Sequence, residues 1–325
     1  MKISLMMGPG TLPSRGADRM DLARYRKSGK PQMTGQELLE AVPEVRSVAD
    51  VAVHAGNPRG IATVEDLRKL SLAVSEALQA CDGVVFVQGT NSIEETAYFL
   101  NLTVRSDKPV VVTGAQRPFT ALSSDAPLNL LDAFRVCACP ETRGKGVVVA
   151  TNGEINAARD VTKTNTYHLQ TFRSRDVGLL GYADPDAVVY YRSPTRRHTA
   201  GTEFDIAAVH TLPRVDVLYV STATQRGLAD AALNLGAKGL VIAATGAGSC
   251  ANLDEELAAI AAGRRAVVVR SSRVGEGRVV RDDNWQHPNM VAADNLSPQK
   301  AALLLALGLT RTGEPDEIQR MFDRY

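Results

Sequence analysis

Three polar side chains of this chain could act together in nucleophilic chemistry. Thr11 follows Gly8 and Gly10, and these glycines permit a tight backbone turn whose amides could face an oxyanion. The Thr11 hydroxyl could therefore attack a carbonyl carbon if a base stood nearby. Lys163 is a candidate base, because a lysine that is removed from water releases its proton more readily. Thr90 could pass a proton between the base and the nucleophile.

Thr90 lies where a predicted βαβ unit would hold a ligand. The apolar run 84–87 predicts a buried strand, and a helical pattern follows over 94–100, with Asn91 or Ser92 as its cap. Another apolar run further along predicts the next strand. Open α/β sheets bind ligands at the carboxyl ends of their parallel strands. We therefore expect Thr90 and Asn91 at that edge of the sheet.

Short apolar runs alternate with amphipathic segments along the chain, which predicts a mostly parallel, doubly wound α/β sheet. A polar, broken segment predicts a linker, 193–212, between a larger N-terminal catalytic domain, 1–192, and a smaller C-terminal Rossmann-like α/β domain, 213–325. Strands are predicted at 3–7, 48–55, 84–87, 109–113, 147–151, 188–191, 215–220, 239–243 and 266–270. Helices are predicted at 34–41, 63–80, 229–235 and 253–262, and a further helix begins at Ser297 and Pro298.

Composition argues against several classes of partner. The 325 residues carry 37 basic and 36 acidic side chains without a sustained basic tract, which argues against nucleic acid. No apolar stretch approaches the roughly 20 residues of a membrane span, and the run 3–7 is too short for a secretory signal. The five histidines lack metal-ligand spacing, so no metal site is predicted. The four cysteines predict reduced thiols, as in a cytoplasmic protein.

Several groups of residues occur together in the order typical of one known family. They are Gln88-Gly89-Thr90-Asn91-Ser92-Ile93-Glu94-Glu95-Thr96-Ala97-Tyr98-Phe99-Leu100, Asp107-Lys108-Pro109, Thr113-Gly114-Ala115-Gln116-Arg117-Pro118, residues 159–166, Val269-Arg270-Ser271-Ser272-Arg273-Val274 and Ser297-Pro298-Gln299-Lys300-Ala301. With these segments the chain resembles the bacterial L-asparaginase/glutaminase family over essentially its whole length. The resemblance implies a two-domain α/β amidohydrolase that acts on a small-molecule amide without a cofactor. It also implies a homotetramer, built as a dimer of intimate dimers.

The resemblance further implies roles for individual residues. In the family, a threonine at the end of the first strand attacks the side-chain amide, and Thr11 matches it. A tyrosine on a flexible lid lies beside this nucleophile, and Tyr25 matches it. A second threonine and a lysine complete the proton path, and Thr90 and Lys163 match them. The implied mechanism is a threonine acyl-enzyme that water then hydrolyses.

Some residues depart from the family pattern where the family binds the head group of its amino-acid substrate. Asn91 stands where the family has an aspartate that pairs with the lysine and holds the substrate's ammonium group. Asn57 and the proline after it replace the Ser-Gln pair that grips the α-carboxylate. Ser249 replaces an asparagine contributed by the neighbouring subunit, and Ala115 completes the predicted substrate site. In the turn before the nucleophile, Pro9 removes one backbone N–H donor.

These departures predict an altered specificity with the catalytic groups retained. An aspartate-to-asparagine change at an ammonium site removes a charge-assisted hydrogen bond of about 1.5–3 kcal/mol. We therefore expect L-asparagine to be at best a poor substrate. The true substrate would carry a blocked, absent or differently placed amino group. The same change is expected to lower the pKa of Lys163, which favours its neutral, basic form.

The predicted lid, between Thr11 and Met33, has an excess of positive charge that allows two interpretations. The charges could favour an anionic substrate, or they could belong to a loop that is simply solvated. The basic side chains are Arg15, Arg19, Arg24, Arg26, Lys27 and Lys30, against the acidic Asp18 and Asp21.

Two other classes of function stay open at this point. A non-catalytic relative that keeps the fold would bind a ligand without turnover that depends on Thr11. A nucleotide-dependent oxidoreductase is suggested by the turn Gly8-Pro9-Gly10. However, Pro13 stands where the Gly-x-Gly-x-x-Gly pattern requires glycine, and no acidic ribose ligand follows at the expected distance.

Overall fold

The structure is a computed structural model that describes residues 1–55, 60–281, 287 and 289–325. These residues form two compact units, Met1–Ile206 and Ala207–Tyr325. The boundary between the two units lies within the predicted linker, residues 193–212. The bounds of that linker stay a prediction. None of the helices that the structure describes is long and apolar enough to cross a membrane.

A large mixed sheet organises the first unit. In chain order the described strands of this unit are β1 (Lys2–Met7), β2 (Asp50–Val53), β3 (Gly83–Val87), β4 (Val110–Thr113), β5 (Val147–Thr151), β6 (Glu154–Ala157), β7 (Thr162–Lys163), β8 (Phe172–Arg173), β9 (Gly181–Ala183) and β10 (Val188–Tyr190). Their order across the large sheet is β10-β9-β6-β5-β4-β3-β1-β2, while β7 and β8 pair separately. Strands β5, β4, β3, β1 and β2 are parallel. The predicted doubly wound, mostly parallel sheet is confirmed.

One edge of this sheet is antiparallel, which the sequence pattern did not predict. Strands β6, β9 and β10 all pair antiparallel to their neighbours. Two of these strands have only three residues, which is too short for a clear hydrophobic period. An apolar run also carries no information about strand direction, so the predicted strand at 188–191 gave no sign of its antiparallel pairing.

The central strands are apolar on both faces because helices cover both faces of the sheet. In β3, Val85 and Val87 belong to one core, and Val84 and Phe86 belong to the other, as the two-residue period of a strand requires. The helices of this unit are α1 (Gly35–Ala41), α2 (Val45–Val48), α3 (Val64–Ala80), α4 (Ile93–Thr103) and α5 (Ala126–Ala138). Side chains of α1 and α5 pack in the first core, and side chains of α3 and α4 pack in the second.

Two of the predicted helix starts are set by capping boxes. The Thr34 side chain accepts a hydrogen bond from the Glu37 amide, and the Glu37 carboxylate accepts one from the Thr34 amide. Thr63 and Asp66 form the same arrangement at the start of α3. Such a cap contributes about 1 kcal/mol and satisfies amides that the helix leaves free. Both starts were therefore visible in the sequence.

One local prediction was wrong, and another was confirmed in position. The predicted strand at 48–55 begins too early, because Val48 ends the short helix α2 and β2 starts at Asp50. Ser92 does occupy the N-cap position of α4, but its side chain makes no capping hydrogen bond. Instead its hydroxyl accepts a hydrogen bond from Gln88 Nε2 at 2.8 Å. The cap predicted at Asn91 or Ser92 is thus confirmed at Ser92, although the Ser92 hydroxyl bonds to Gln88, four residues earlier, rather than to the helix.

The second unit is a smaller α/β domain, as predicted. Its described strands β11 (Val215–Tyr219), β12 (Gly239–Ala244), β13 (Val267–Ser272) and β14 (Met290–Ala292) form a parallel sheet in that order. The helices are α6 (Leu228–Asn234), α7 (Asp254–Ala262), α8 (Pro298–Gly308) and α9 (Pro315–Arg324). Helix α8 begins where predicted, with Pro298 at its first position.

Candidate active site

The loops that follow β1 and β3 touch each other backbone to backbone. The Gly8 amide donates to the Val87 carbonyl at 2.7 Å, and the Gly89 amide donates to the Pro9 carbonyl at 3.1 Å. A Cβ atom on Gly10 would lie 2.4 Å from the Gly89 nitrogen, closer than any real contact allows. Glycine at position 10 therefore lets the two loops meet at the carboxyl edge of the sheet.

The first of these loops places Thr11 against the predicted lid. The Thr11 side chain is buried, and its Oγ1 lies 2.8 Å from the Tyr25 Oη, at hydrogen-bond distance with either hydroxyl as donor. Tyr25 begins a short 3₁₀ helix, Tyr25–Lys27. The structure thus brings together the two residues that the resemblance matched to the nucleophile and its tyrosine partner.

The second loop places Thr90 against Lys163. The Lys163 Nζ donates a hydrogen bond to the Thr90 Oγ1 at 2.7 Å, and Thr90 is buried. Lys163 belongs to the segment 159–166, which contains no apolar run. It lies on the two-residue strand β7, where it pairs with Phe172 of β8. A strand of two residues is too short to produce a hydrophobic period, so the sequence could not reveal it.

The environment of Lys163 has two opposing effects on its pKa. Burial lowers the pKa of Lys163, because the charged ammonium loses water, while the negative charge of Glu94 raises it. Glu94 is buried in the first turn of α4. The effect of the Glu94 charge on Lys163 was not predicted, whereas the charge missing at Asn91 was. A carboxylate in the first turn of a helix is explained by the helix dipole alone, so no signal distinguished it.

A further pair of residues, Ser14 and Gln32, holds the turn before Thr11, and neither was predicted to do so. The Gly10 carbonyl accepts hydrogen bonds from Ser14 Oγ at 2.7 Å and from Gln32 Nε2 at 2.9 Å. Gln32 Nε2 also donates to Ser14 Oγ at 3.0 Å. These contacts connect both ends of the lid segment to the peptide that carries Thr11. Serine and glutamine in a polar loop have no pattern that separates such a role from solvation.

Two clefts open beside these loops. The first has a volume of about 430 Å³ and is lined in part by Asn91, Gln88, Gly89 and Asp66. The second, of about 360 Å³, is lined in part by Tyr25, Arg15, Lys30 and Gln32. Both clefts are also lined by Pro9 and Arg26. These volumes suit a small-molecule ligand.

The remaining predicted substrate residues have different locations. Asn91 is exposed and faces the first cleft, next to Thr90. Ala115 follows β4 and is buried in the first core. Ser249 is exposed in the second unit, where it pairs with Thr245 in an isolated bridge. Asn57 lies outside the described residues. Among the described residues, no group of three or more His, Cys, Asp or Glu side chains is arranged to hold a metal ion.

Comparison with known proteins identifies relatives along nearly the whole chain. Residues 2–196 match the family model described as asparaginase, N-terminal, and residues 214–322 match the glutaminase/asparaginase C-terminal domain. The L-asparaginase 2 of Bacillus subtilis is 39% identical over 329 residues, which cover 99% of this chain and 86% of that protein. The glutaminase-asparaginase of Acinetobacter glutaminasificans is 38% identical over 327 residues, covering 97% of each chain.

A solved structure is similar in fold as well. The crystal structure of a probable cytoplasmic L-asparaginase from Campylobacter jejuni matches with a TM-score of 0.92 and 36% sequence identity. The match covers 100% of this chain and 99% of the Campylobacter chain.

Proposed function

Because this chain belongs to the asparaginase family, and is therefore a hydrolase of carbon–nitrogen amide bonds, we propose that it cleaves the side-chain amide of a small molecule through a threonine acyl-enzyme. The observation that carries this proposal is the pair of hydrogen bonds, Thr11 with Tyr25 and Lys163 with Thr90, on two loops in direct contact. Acyl transfer requires a nucleophile, which is Thr11 with Tyr25 beside it, and a base that exchanges protons with the site, which is Lys163 acting through Thr90.

The proposed reaction has two steps. The Thr11 oxygen attacks the amide carbon, and the Thr11 proton is relayed to the leaving nitrogen. The carbon–nitrogen bond then breaks, which releases ammonia and leaves an ester on Thr11. In the second step, water attacks the ester carbon and its proton returns to the Thr11 oxygen as the acid leaves. One water molecule is consumed, and one carboxylic acid and one ammonia are formed.

The other residues of the site have supporting roles in this proposal. Tyr25 orients the Thr11 hydroxyl through their hydrogen bond and helps to activate it. Lys163, with its pKa lowered by burial, supplies a neutral amine more readily than a solvated lysine, and Thr90 passes protons to and from it. We also propose that Ala115 and Asn57 contact the substrate, as the family resemblance implies.

We also propose that L-asparagine is a poor substrate. Asn91 faces the first cleft with a neutral amide, which cannot form an ion pair with a substrate ammonium. Loss of such a charge-assisted hydrogen bond corresponds to about 1.5–3 kcal/mol, or roughly a 10- to 100-fold loss of kcat/KM. The relatives' names describe their own substrates, and this chain's Asn91 is the reason to expect a difference.

The quaternary structure and location are proposed from the family resemblance. We propose a homotetramer, a dimer of intimate dimers, in which Ser249 reaches the site of a neighbouring subunit. The Campylobacter protein is named as cytoplasmic, and we propose the same compartment for this chain. Light scattering should give the mass of four chains, and a mass of one chain would contradict the assembly.

The test of the catalytic proposal is ammonia release from a panel of amides. Thr11→Ala should lower kcat at least about 1,000-fold with the best substrate, because it removes the nucleophile. Thr195→Ala changes an exposed threonine in the same unit and should leave kcat unchanged. Turnover by Thr11→Ala at the wild-type rate would overturn the proposal. Binding of an amide by the wild type without any ammonia release would instead indicate a non-catalytic relative.

A further inference from the structure

Arg26 is placed differently from the other basic residues of the lid. It lines both clefts and is exposed to solvent there. Within the described part of the chain its guanidinium has no hydrogen-bond or ion-pair partner. By contrast, Arg15 pairs with Glu37 at 2.7 Å, and the Lys30 Nζ donates to the backbone carbonyls of Gly16 and Ala17. Of these three cations, Arg26 is the one available to a ligand.

The acidic side chain at the first cleft is occupied by its own helix. Among the described residues that line this cleft, Asp66 is the one acidic residue. Its Oδ2 accepts hydrogen bonds from the Thr63 hydroxyl at 2.8 Å, the Thr63 amide at 2.9 Å and the Ala62 amide at 3.1 Å. These hydrogen bonds, first that of the Thr63 side chain, lower the pKa of Asp66. Asp66 is therefore engaged in the capping box of α3, and its Oδ2 is already used by three donors rather than by a substrate ammonium.

The other polar side chains that line the first cleft, those of Gln88, Asn91 and Ser92, are neutral. Asn91 offers an amide that can donate or accept a hydrogen bond without any charge preference. The described residues of this cleft thus offer one cation without a protein partner, two neutral amides, one hydroxyl and one carboxylate that is held by its own helix. Arg26 is therefore the group of this cleft that can form an ion pair with an anion, while the Asp66 carboxylate is already hydrogen-bonded within its own helix start.

We infer that Arg26 binds a carboxylate of the substrate, and that the substrate class is the monoamide of a dicarboxylic acid without a free amino group. The inference rests on the proposed function, because it requires that Thr11 attacks the amide. Thr11 lies on the loop that adjoins the cleft. The planar guanidinium fork of arginine matches a carboxylate with two parallel hydrogen bonds. Asn91 then contacts the part of the substrate where an asparagine would carry its ammonium.

Succinamate is the probe for this inference, because it is L-asparagine without the amino group. The wild-type kcat/KM for succinamate should exceed that for L-asparagine at least about tenfold. Arg26→Gln should lower kcat/KM for succinamate roughly 10- to 100-fold, mainly through KM. Arg26→Lys should restore part of the loss, because it keeps the charge but not the fork.

The matched control is Lys27→Gln, which removes the same charge from the same helical turn. Lys27 does not belong to the lining of either cleft. This variant should change kcat/KM less than about threefold, since an exposed charge away from the ligand is screened. Equal losses in Arg26→Gln and Lys27→Gln would overturn the inference, as would a wild-type preference for L-asparagine.

A binding titration separates this inference from the catalytic proposal. Succinamate should bind the Thr11→Ala variant, and adding Arg26→Gln should weaken that binding roughly 10-fold or more. If Thr11→Ala still hydrolyses amides, the nucleophile assignment fails while the Arg26 effect can still be measured. If turnover depends on Thr11 but succinamate binding is indifferent to Arg26, only the substrate inference fails.

Discussion

At the scale of single residues, Lys163 illustrates how the surroundings of a side chain select its chemistry. A solvated lysine is an ammonium ion at neutral pH and is a poor base. Here burial lowers the pKa of Lys163, and its Nζ is directed at the Thr90 hydroxyl at 2.7 Å. The opposing charge belongs to Glu94, on the first turn of α4. The balance between burial and Glu94 therefore sets the pH at which Lys163 becomes neutral.

This balance predicts the effect of Glu94→Gln on the pH dependence of kcat. The Glu94 charge raises the pKa of Lys163, so its removal should lower that pKa further. A base that must be neutral then becomes active at lower pH, and the acid limb of the kcat–pH profile should move to lower pH. The profile should be measured from pH 5 to pH 10 with the best amide substrate.

The control for this prediction is Glu95→Gln, which neutralises the neighbouring carboxylate in the same helical turn. It should leave the acid limb where it is in the wild type. A limb that moves equally in both variants, or moves to higher pH in Glu94→Gln, would contradict the role given to Glu94. Circular dichroism should establish that both variants keep the helical content of the wild type.

At the scale of elements, the site depends on how closely two strand-end loops approach. Strands β1 and β3 are adjacent and parallel, so the loops after Met7 and Val87 leave the sheet side by side. The contact between Gly10 and Gly89 lets these loops touch without a side chain between them. Each loop then carries one of the two threonines of the proposed site, Thr11 or Thr90. The separation of the two hydroxyls is thus set by backbone packing.

The single methyl group added by Gly10→Ala should therefore lower kcat strongly. The new Cβ would lie 2.4 Å from the Gly89 nitrogen and 2.5 Å from its Cα, and backbone atoms cannot rotate away. We expect kcat to fall at least about 100-fold, with a loss of roughly 1–3 kcal/mol in the free energy of unfolding. Steady-state kinetics and thermal unfolding measure the two effects.

Gly201→Ala is the comparison for this substitution in the same unit. A Cβ there would meet only Arg197 Cγ at 3.6 Å, an ordinary contact. This variant should keep the wild-type kcat and melting temperature. If Gly10→Ala behaves in the same way, the close loop contact is not needed for activity.

At the scale of the whole molecule, the net charge is close to zero, so electrostatic effects on a substrate come from individual side chains. The 37 basic and 36 acidic residues leave a net charge of +1, so the protein as a whole produces little field to steer a charged substrate. Any preference for an anion must come from side chains at the clefts, where Arg26 lies. Exposed charges of this kind are screened by salt over about 10 Å at 0.1 M.

Salt should therefore affect an anionic substrate selectively and modestly. Raising the ionic strength from about 0.02 to 0.5 M should lower kcat/KM for succinamate a few-fold, because Arg26 is exposed and screened. Propionamide, an uncharged amide, should show no comparable loss. In Arg26→Gln the salt dependence for succinamate should disappear. A salt effect of equal size on both amides would contradict a local electrostatic origin.

Much of the fold could be predicted from the sequence because its signals are local. Apolar runs such as 84–87 and 147–151 indicated buried strands, and the capping boxes at Thr34 and Thr63 set helix starts. The polar residues at positions 11, 90 and 163 were identified as a group because they match a family pattern. The strands and helix starts could be predicted because neighbouring side chains and short hydrophobic periods are enough to indicate them.

Only the tertiary structure decided which of these residues touch. Lys163 and Thr90 are 73 residues apart in sequence, and Lys163 reaches Thr90 because a two-residue strand places it there. Arg26 was one of six basic lid residues in the sequence, and packing alone distinguished it by leaving it at both clefts. Sequence determined the kinds of groups available, since residue type and period are local. Their partners and charge balance arose from long-range packing, which local patterns do not encode.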